Sequence, residues 1–428
     1  MAEFKFIHAS DLHIDSPLRG LERYEGAPVE EMRLASRRAF EGLVDLAIEE
    51  EVAFVLLAGD IFDGEWRDYN TGLYFSNQLA RLAKADIPVA LIRGNHDAAS
   101  RWTRSLSFPK GCYQFPAKEA ETLKWDELRV AVHGQSFETA SVKENLARNY
   151  PPSIAGYLNI GLLHSSLDGR PGHDNYAPCT KADLDALGYQ YWALGHVHEL
   201  EYVSKDPWIV FPGTTQGRSI REQGEKGCVL VTAEDDEIRN LSFRPLDLAR
   251  WALCEVDLED CSREGELVDA VTESIERAVA QAQGRTLALR VVLKGATVLY
   301  DLLLDERDRF LTQIRACAGG AVGGEAWVEK VVFDCCPPLE QNAQLEGSEC
   351  YEALMGRFDE ICDDDEFLSG ARKELDGLKS KLGACGISGQ DLLDPCASEV
   401  LAAAAKRARQ WIGVKIKTAS SRKGDGSS

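Results

Sequence analysis

Five short apolar runs, each stopping at a residue type that binds metals, limit what this chain can fold into more than any other feature. Residues 4–8 lead into Ser10-Asp11-Leu12-His13, residues 54–58 into Gly59-Asp60, and residues 89–92 into Gly94-Asn95-His96-Asp97. Residues 158–163 end at His164, and residues 191–194 lead into Gly195-His196-Val197-His198. Apolar β-formers that halt at a turn residue read as buried strands. Open α/β sheets gather ligands outside the carboxyl ends of such strands. Asp, His, Asp, Asn and three further His delivered to one crest predict a two-metal hydrolase.

Composition narrows the setting. A chain of 428 residues has room for two or three domains. No apolar stretch reaches the roughly 18 residues of a membrane span. The start, Met1-Ala2-Glu3-Phe4-Lys5, shows no basic region followed by an apolar core. A cytoplasmic protein with no membrane partner is the expectation. Of the 12 cysteines none forms a Cys-x-x-Cys pair, so free thiols are expected rather than a disulfide framework or a thiolate zinc site. All 8 histidines lie between His8 and His198, which confines imidazole chemistry to the first half. The net charge of −22 opposes broad, nonspecific attraction to nucleic acid, and neither half of the chain is basic. Only the tail, with Lys406, Arg407, Arg409, Lys415, Lys417, Arg422 and Lys423, concentrates cations. It reads as a solvated helix end or as a contact for an acidic partner.

Residues 1–245 alternate strand-like runs with amphipathic stretches. Residues 33–49 and 74–84 carry apolar side chains at three- and four-residue spacing, as helices covering a sheet would. Residues 208–231 read as short strands joined by the loop Pro212-Gly213-Thr214-Thr215-Gln216-Gly217-Arg218. From 246 to 335 a strand (251–257), helix (264–281), strand (286–293), helix (305–317) and strand (327–333) suggest a small separate domain. Cys335-Cys336-Pro337-Pro338 breaks the chain. Residues 336–417 then read as a helical region, with helices over 349–361, 365–382 and 395–412, and 418–428 as a disordered tail.

In extended backbone, residues i and i+2 point to the same side, so Asp11 with His13, and His196 with His198, can each aim two donors at one place. Carboxylate and carboxamide oxygens mixed with imidazole suit Mn²⁺, Fe²⁺ or Zn²⁺ better than Ca²⁺. Seven ligands are too many for one ion, but with Asp60 shared they divide into two sets of four. Two ions roughly 3.5–4 Å apart lower the pKa of bound water and clamp the oxygens of an in-line displacement at phosphorus. They supply no proton for the leaving group. His96, next to Asn95, can do that, with Asp97 as the expected partner that fixes its tautomer. Trp66, Arg67 and Tyr69 follow the shared Asp60, and Arg101 and Arg104 follow Asp97. Such side chains can pair with phosphates and stack on an unpaired base, or simply form salt-bridged surface loops. His8 and His133 sit in or at the end of strand-like runs and are expected to be packed and hydrogen-bonded. His173 falls in a loop.

The order of these motifs resembles the calcineurin-like metallophosphoesterase superfamily, and within it the SbcD-type DNA repair nucleases. The resemblance is carried by Ala9-Ser10-Asp11-Leu12-His13, by Ala58-Gly59-Asp60-Ile61-Phe62-Asp63, and by Pro212-Gly213-Thr214 followed by Arg218, Glu222 and Lys226-Gly227. Residues 18–28 and 66–74 are similar to the YhaO-type branch. The resemblance covers residues 3–245 and, more loosely, the small domain after them. It implies an α/β fold of four layers, two packed β-sheets flanked by helices, followed by a DNA-binding α+β capping domain over 246–335. It also implies one ion on Asp11, His13, Asp60 and His198, the other on Asp60, Asn95, His164 and His196, with His96 catalytic and Mn²⁺ the leading metal. Arg218 joins the candidate phosphate contacts. Archaeal and eukaryotic relatives carry a second histidine where Asp63 stands here, so the role of Asp63 stays open.

Three functions follow from this. The first is a two-metal DNA exonuclease acting in repair with an SbcC-like ATPase; the second, favoured by the −22 charge, is a small-molecule phosphatase or phosphodiesterase. The third is an adaptor whose C-terminal helices dock the ATPase through Met355, Phe358, Ile361, Phe367 and Leu368. Relatives dimerise through the nuclease domain, so a homodimer is also implied.

Overall fold

The apolar runs become strands because both their faces are covered. Along β2 (Phe54–Ala58), Phe54, Leu56 and Ala58 face one apolar layer while Val55 and Leu57 face another. In β3 (Val89–Ile92) the same alternation sends Ala90 and Ile92 one way, Val89 and Leu91 the other. A sheet covered on one side only would show polar residues at every second position. The computed structural model describes residues 3–16, 18, 28–64, 69–99, 107–169, 176–320 and 326–338, together with 353, 356 and 357.

The first sheet adds β1 (Phe4–Ala9), β4 (Cys112–Gln114), β11 (Gly227–Glu234) and β12 (Glu237–Pro245), in the order β12-β11-β1-β2-β3-β4. The second holds β5 (Glu121–Trp125), β6 (Val130–Gly134), β7 (Leu158–His164), β8 (Tyr191–Gly195), β9 (Leu200–Lys205) and β10 (Trp208–Pro212), ordered β5-β6-β7-β8-β10-β9. Phe6, Phe54, Leu56, Ile92, Val132, Ile160, Tyr191 and Val229 pack together between the sheets. Outside the first sheet, α1 (Val29–Glu49) and α2 (Asn70–Lys84) bury Phe40, Leu43, Phe75 and Leu79. Outside the second, Trp192, Leu194 and Phe211 pack with Tyr150 and with Leu184 of α4 (Lys181–Asp185). These are the four α/β layers expected.

Register positions the site. Ala9 pairs with Leu57 and Ala58 with Ile92, all in parallel, so the segments carrying Asp11, Asp60 and Asn95 leave the sheet side by side. In the second sheet His164 pairs with Gly195, placing β7 and β8 ends together.

A third sheet, order β13-β14-β15, is built from β13 (Ala249–Asp257), β14 (Thr286–Ala296) and β15 (Ala326–Cys336) with α5 (Glu264–Ala282). The helix expected over 305–317 is two: α6 (Tyr300–Asp305) and α7 (Arg307–Gly319), divided where Glu306 leaves helical geometry at φ −114° and ψ 33°. Residues 255–274 and 291–317 belong to a second compact unit. The helices expected beyond 338 and the tail lie outside the described residues, apart from 353, 356 and 357, which are helical. The 8 described cysteines are all free thiols, as expected. Among the described residues no helix is long and apolar enough to cross a membrane.

Two histidines serve the core. His133 lies between Thr122 Oγ1 (2.8 Å) and Asn159 Oδ1 (3.1 Å) and stacks on Tyr189. His8 bonds the Tyr191 hydroxyl at 3.0 Å and the Leu194 carbonyl at 3.1 Å, and burial lowers its pKa to about 3. The unfolded chain takes up this proton near pH 6.5 while the folded chain resists it. Stability from His8 is therefore complete above about pH 6.5 and is lost as pH falls toward 3. At pH 5 the loss comes to about 2 kcal/mol. Urea melts at pH 7.5 and 5.0 should show a shallower pH dependence in His8→Asn than in wild type, by about that amount; equal slopes would refute it.

Candidate metal centre

The motif residues converge, but not through extended backbone. Asp11 (φ 52°), His13 (φ 42°) and Asp60 (φ 50°) adopt left-handed conformations, and His196 has φ 102°. The expectation that i and i+2 share a face of a straight segment is thus corrected: a coiled turn aims these donors. Left-handed geometry costs an L-residue roughly 1–2 kcal/mol. A ladder of backbone bonds holds it, Asp11 N to Gly59 O (3.0 Å), His13 N to Asp60 O (3.1 Å) and Ile14 N to Ile61 O (2.9 Å).

Three groups of donors come within 4.8 Å of one another: Asp11, His13 and His198; Asp11, Asp60 and His164; and His13, Asp60 and His96. Asp60 belongs to two of them, as a shared carboxylate should. Asn95 Oδ1 lies 3.0 Å from His164 Nε2, and Asp60 Oδ2 lies 3.5 Å from the same nitrogen. His196 packs beside His164, ring centres 5.2 Å apart, and its backbone N–H donates to Asp11 Oδ2. Its imidazole is in none of the converging triplets among the described residues.

The chemistry of these donors fits cations. His164 Nδ1 is 2.9 Å from the Ala58 carbonyl, which can only accept, so the hydrogen is on Nδ1. Its Nε2 then turns a lone pair toward two oxygens. His198 Nδ1 lies 2.7 Å from Glu222 Oε1, which places its lone pair on Nε2, 3.5 Å from Asp11 Oδ1 and 3.4 Å from His13 Nε2. Asp11 Oδ1 is buried with no hydrogen-bond partner among the described residues. Electron-rich atoms facing one another without a proton between them require a positive charge. The pKa directions agree. Burial disfavours protonated His198, yet Asp11 and Glu222 push it up to about 9. Burial would raise Asp11, but His198 and neighbouring imidazoles hold it well below the carboxylate range. His13, buried and near Arg218, falls to about 4.

The partner of His96 is not the one expected. Asp63 Oδ1 stands 2.9 Å from His96 Nδ1. Asp97 instead accepts the backbone N–H groups of Ile61 (3.1 Å), Phe62 (2.9 Å) and Gly94 (3.1 Å). Burial, and then the charge of Asp60, push its pKa up to about 7 against those three bonds. Asp97 therefore clamps the turn after β2 to the turn after β3, and the orienting role passes to Asp63. Adjacency in sequence favoured Asp97, but the first turn of α3 (Asn95–Ala99) points it back toward that backbone. Burial opposes protonation of His96, while Asp63 and Asp60 raise its pKa.

Arg218 is also corrected. Its guanidinium bonds Glu222 Oε1 at 3.0 Å and approaches Asp63 Oδ2 at 3.8 Å, so it braces the site from within rather than waiting for a phosphate. Sequence reasoning noted Asp63 and Glu222 without finding these roles; four-residue spacing of Arg218 and Glu222 was the available signal. Tyr69 is 54% exposed at the start of α2. Trp66, Arg67, Arg101, Arg104 and His173 lie outside the described residues.

Comparison with known proteins agrees with this geometry. Residues 4–200 match the model of the calcineurin-like phosphoesterases, and residues 251–336 that of the middle domain of metallophosphoesterase YhaO. The chain is 32% identical over 300 residues to the uncharacterized metallophosphoesterase YhaO of Bacillus subtilis, covering 69% of this chain and 72% of that one. It is 28% identical over 263 residues to the DNA double-strand break repair protein Mre11 of Thermoplasma acidophilum (58% of this chain, 65% of that one). With the Mre11 of Sulfurisphaera tokodaii it shares 26% over 207 residues (46% and 50%). The chain thus spans one half to just under two thirds of these two Mre11 proteins. A shared carboxylate, lone pairs converging on it from both sheets, and a relative matched over most of its length place the chain in the calcineurin-like metallophosphoesterases, with a YhaO-type middle domain.

Proposed function

We propose that the protein is a two-metal DNA nuclease, acting on ends as an exonuclease and working in repair with an SbcC-like ATPase. The observation that carries the hydrolytic part is the pair of imidazole lone pairs, on His164 and His198, aimed at a common carboxylate-lined space. Asp11, His13, Asp60 and His198 would hold one ion and Asp60, Asn95, His164 and His196 the other, with Mn²⁺ the leading metal and Fe²⁺ or Zn²⁺ alternatives. The ions supply Lewis acidity at phosphorus and an activated water. His96 does the proton work: with Nδ1 held by Asp63, its Nε2 is left to protonate the departing oxygen. The kinship with Mre11 proteins supports DNA as substrate. Domains at 1–245 and 246–335, a capping role for the second, ATPase docking by 336–417 and homodimerisation belong to the same proposal.

The charge of −22 favours a second reading, a phosphodiesterase or phosphatase for small molecules. One assay separates the two. Linear DNA, nucleotides and phosphomonoesters are offered with Mn²⁺ to wild type and His96→Ala. The nuclease reading expects DNA degradation from ends that falls about 10²–10⁴-fold in the variant. Nucleotides turned over far faster than DNA would select the second reading, and undiminished cleavage by His96→Ala would remove the role of His96. Docking is tested separately, by co-purification with the ATPase and its loss on deleting 340–428.

A further inference from the structure

We propose that Glu222, braced by Arg218, is a positioning residue for His198 that sets the affinity of one ion and not the other; this rests on the two-ion reading above. The loop between β10 and β11 is fastened at several points. Thr214 Oγ1 donates to the Asp11 carbonyl at 2.6 Å, Gly227 N to the Thr214 carbonyl at 3.1 Å, and Gln216 Nε2 to the Ala249 carbonyl at 2.6 Å. Trp251 Nε1 donates to the Gly217 carbonyl at 3.2 Å. A β-carbon on Gly217 would lie 2.7 Å from the Glu222 carbonyl oxygen, so the turn closes on itself. Glu222 is held there, 8% exposed, with Oε2 accepting the Arg218 backbone N–H at 2.6 Å and Oε1 facing His198 Nδ1 at 2.7 Å.

Two groups compete for that nitrogen. The Glu222 carboxylate can only accept, and so requires hydrogen on Nδ1 and leaves Nε2 free for a metal. Arg218 NH2, 3.2 Å from the same Nδ1, can only donate, and would favour the opposite tautomer with hydrogen on Nε2. The carboxylate prevails because it is closer and because it also binds the guanidinium at 3.0 Å, drawing those donors to itself. Remove Glu222 and Arg218 is left to donate to Nδ1, which puts a hydrogen where the ion must bind. On the other side, His164 takes its tautomer from the Ala58 carbonyl and does not depend on this pair.

The test is calorimetric titration of the full-length apo protein with Mn²⁺. Wild type should bind two ions. Glu222→Ala should keep one at wild-type affinity and bind the other about 10–100-fold more weakly. Glu222→Asp keeps the charge that Arg218 needs but withdraws the carboxylate from His198, and should weaken the same ion. The double variant Arg218→Met/Glu222→Met removes the competing donor together with the buried pair, a change proteins often tolerate. It should regain part of the affinity that Glu222→Ala loses. Unchanged affinity for both ions in the single variants, or parallel loss of both ions in all three, overturns the proposal, as does a double variant no better than Glu222→Ala. If wild type binds two ions but hydrolyses no phosphoester, the functional reading fails and the selective weakening still stands; fewer than two ions in wild type would end both.

Discussion

Gly94→Ala is expected to lower phosphoesterase turnover by at least about 100-fold while the protein remains folded. A β-carbon at position 94 would fall 2.2 Å from Asp60 Oδ1 and 2.8 Å from Asp60 N. The backbone there is not left-handed, so alanine meets an obstruction and not a torsional penalty. Neither neighbour can yield easily. Asp60 is 1% exposed, its Oδ1 accepts the His96 N–H at 2.9 Å, and Gly94 N is itself bonded to Asp97 at 3.1 Å. The shared carboxylate must therefore shift, and a displacement of about 1 Å in a reacting constellation can cost 10²-fold. Because Asp60 serves both ions, the variant should also bind fewer than two Mn²⁺. Gly265→Ala, with open space around its β-carbon, is the control and should match wild type. Turnover of a chromogenic phosphodiester with Mn²⁺, beside a circular dichroism melt, decides it; activity within about three-fold of wild type would refute the argument.

The crowding around Gly94 shows what the sequence could and could not carry. The strands were readable because burial on both faces leaves unbroken apolar runs, and the ligands because those runs stop at Asp, Asn or His. Direction along the chain was enough to say that Asp11, Asp60, Asn95, His164 and His198 meet. The paths by which they meet were not readable. Left-handed turns at Asp11, His13 and Asp60 depend on backbone bonds to residues almost fifty positions away. Propensity assigns such geometry to glycine, so an extended pair looked sufficient. The partner of His96 was misjudged for a related reason. Asp97 is adjacent in sequence, but Asp63 arrives from a different strand end, and only parallel pairing of β2 with β3 brings it there. Loop chemistry was the least legible. Arg218 looked like a phosphate contact because nothing in its neighbourhood announced that Glu222 and Asp63 would occupy it.

Asp63→Asn should cut kcat about 10–100-fold with little change in KM, and should move the alkaline limb of the pH profile to lower pH. The sign follows from the surroundings of His96. Burial lowers its pKa, and the contact with Asp63 and the charge of Asp60 more than offset that. An amide in place of the carboxylate removes the main raising contribution, so His96 loses its proton at lower pH. A general acid must be protonated to act, and activity then fades sooner as pH rises. Asp63 itself is held well below the ordinary carboxylate range; burial works against this, but His13, His96 and Arg218 outweigh it, so it carries its charge throughout the assay range. Asp97→Asn provides the contrast. Its two oxygens serve three backbone N–H groups, and an amide has one acceptor oxygen and turns donors toward the rest. That variant should lose about 1–3 kcal/mol of stability with the pH limb unmoved in the molecules that stay folded. If Asp97→Asn shifts the limb and Asp63→Asn does not, the orienting role belongs to the sequence neighbour after all, and the 2.9 Å contact between Asp63 and His96 is incidental.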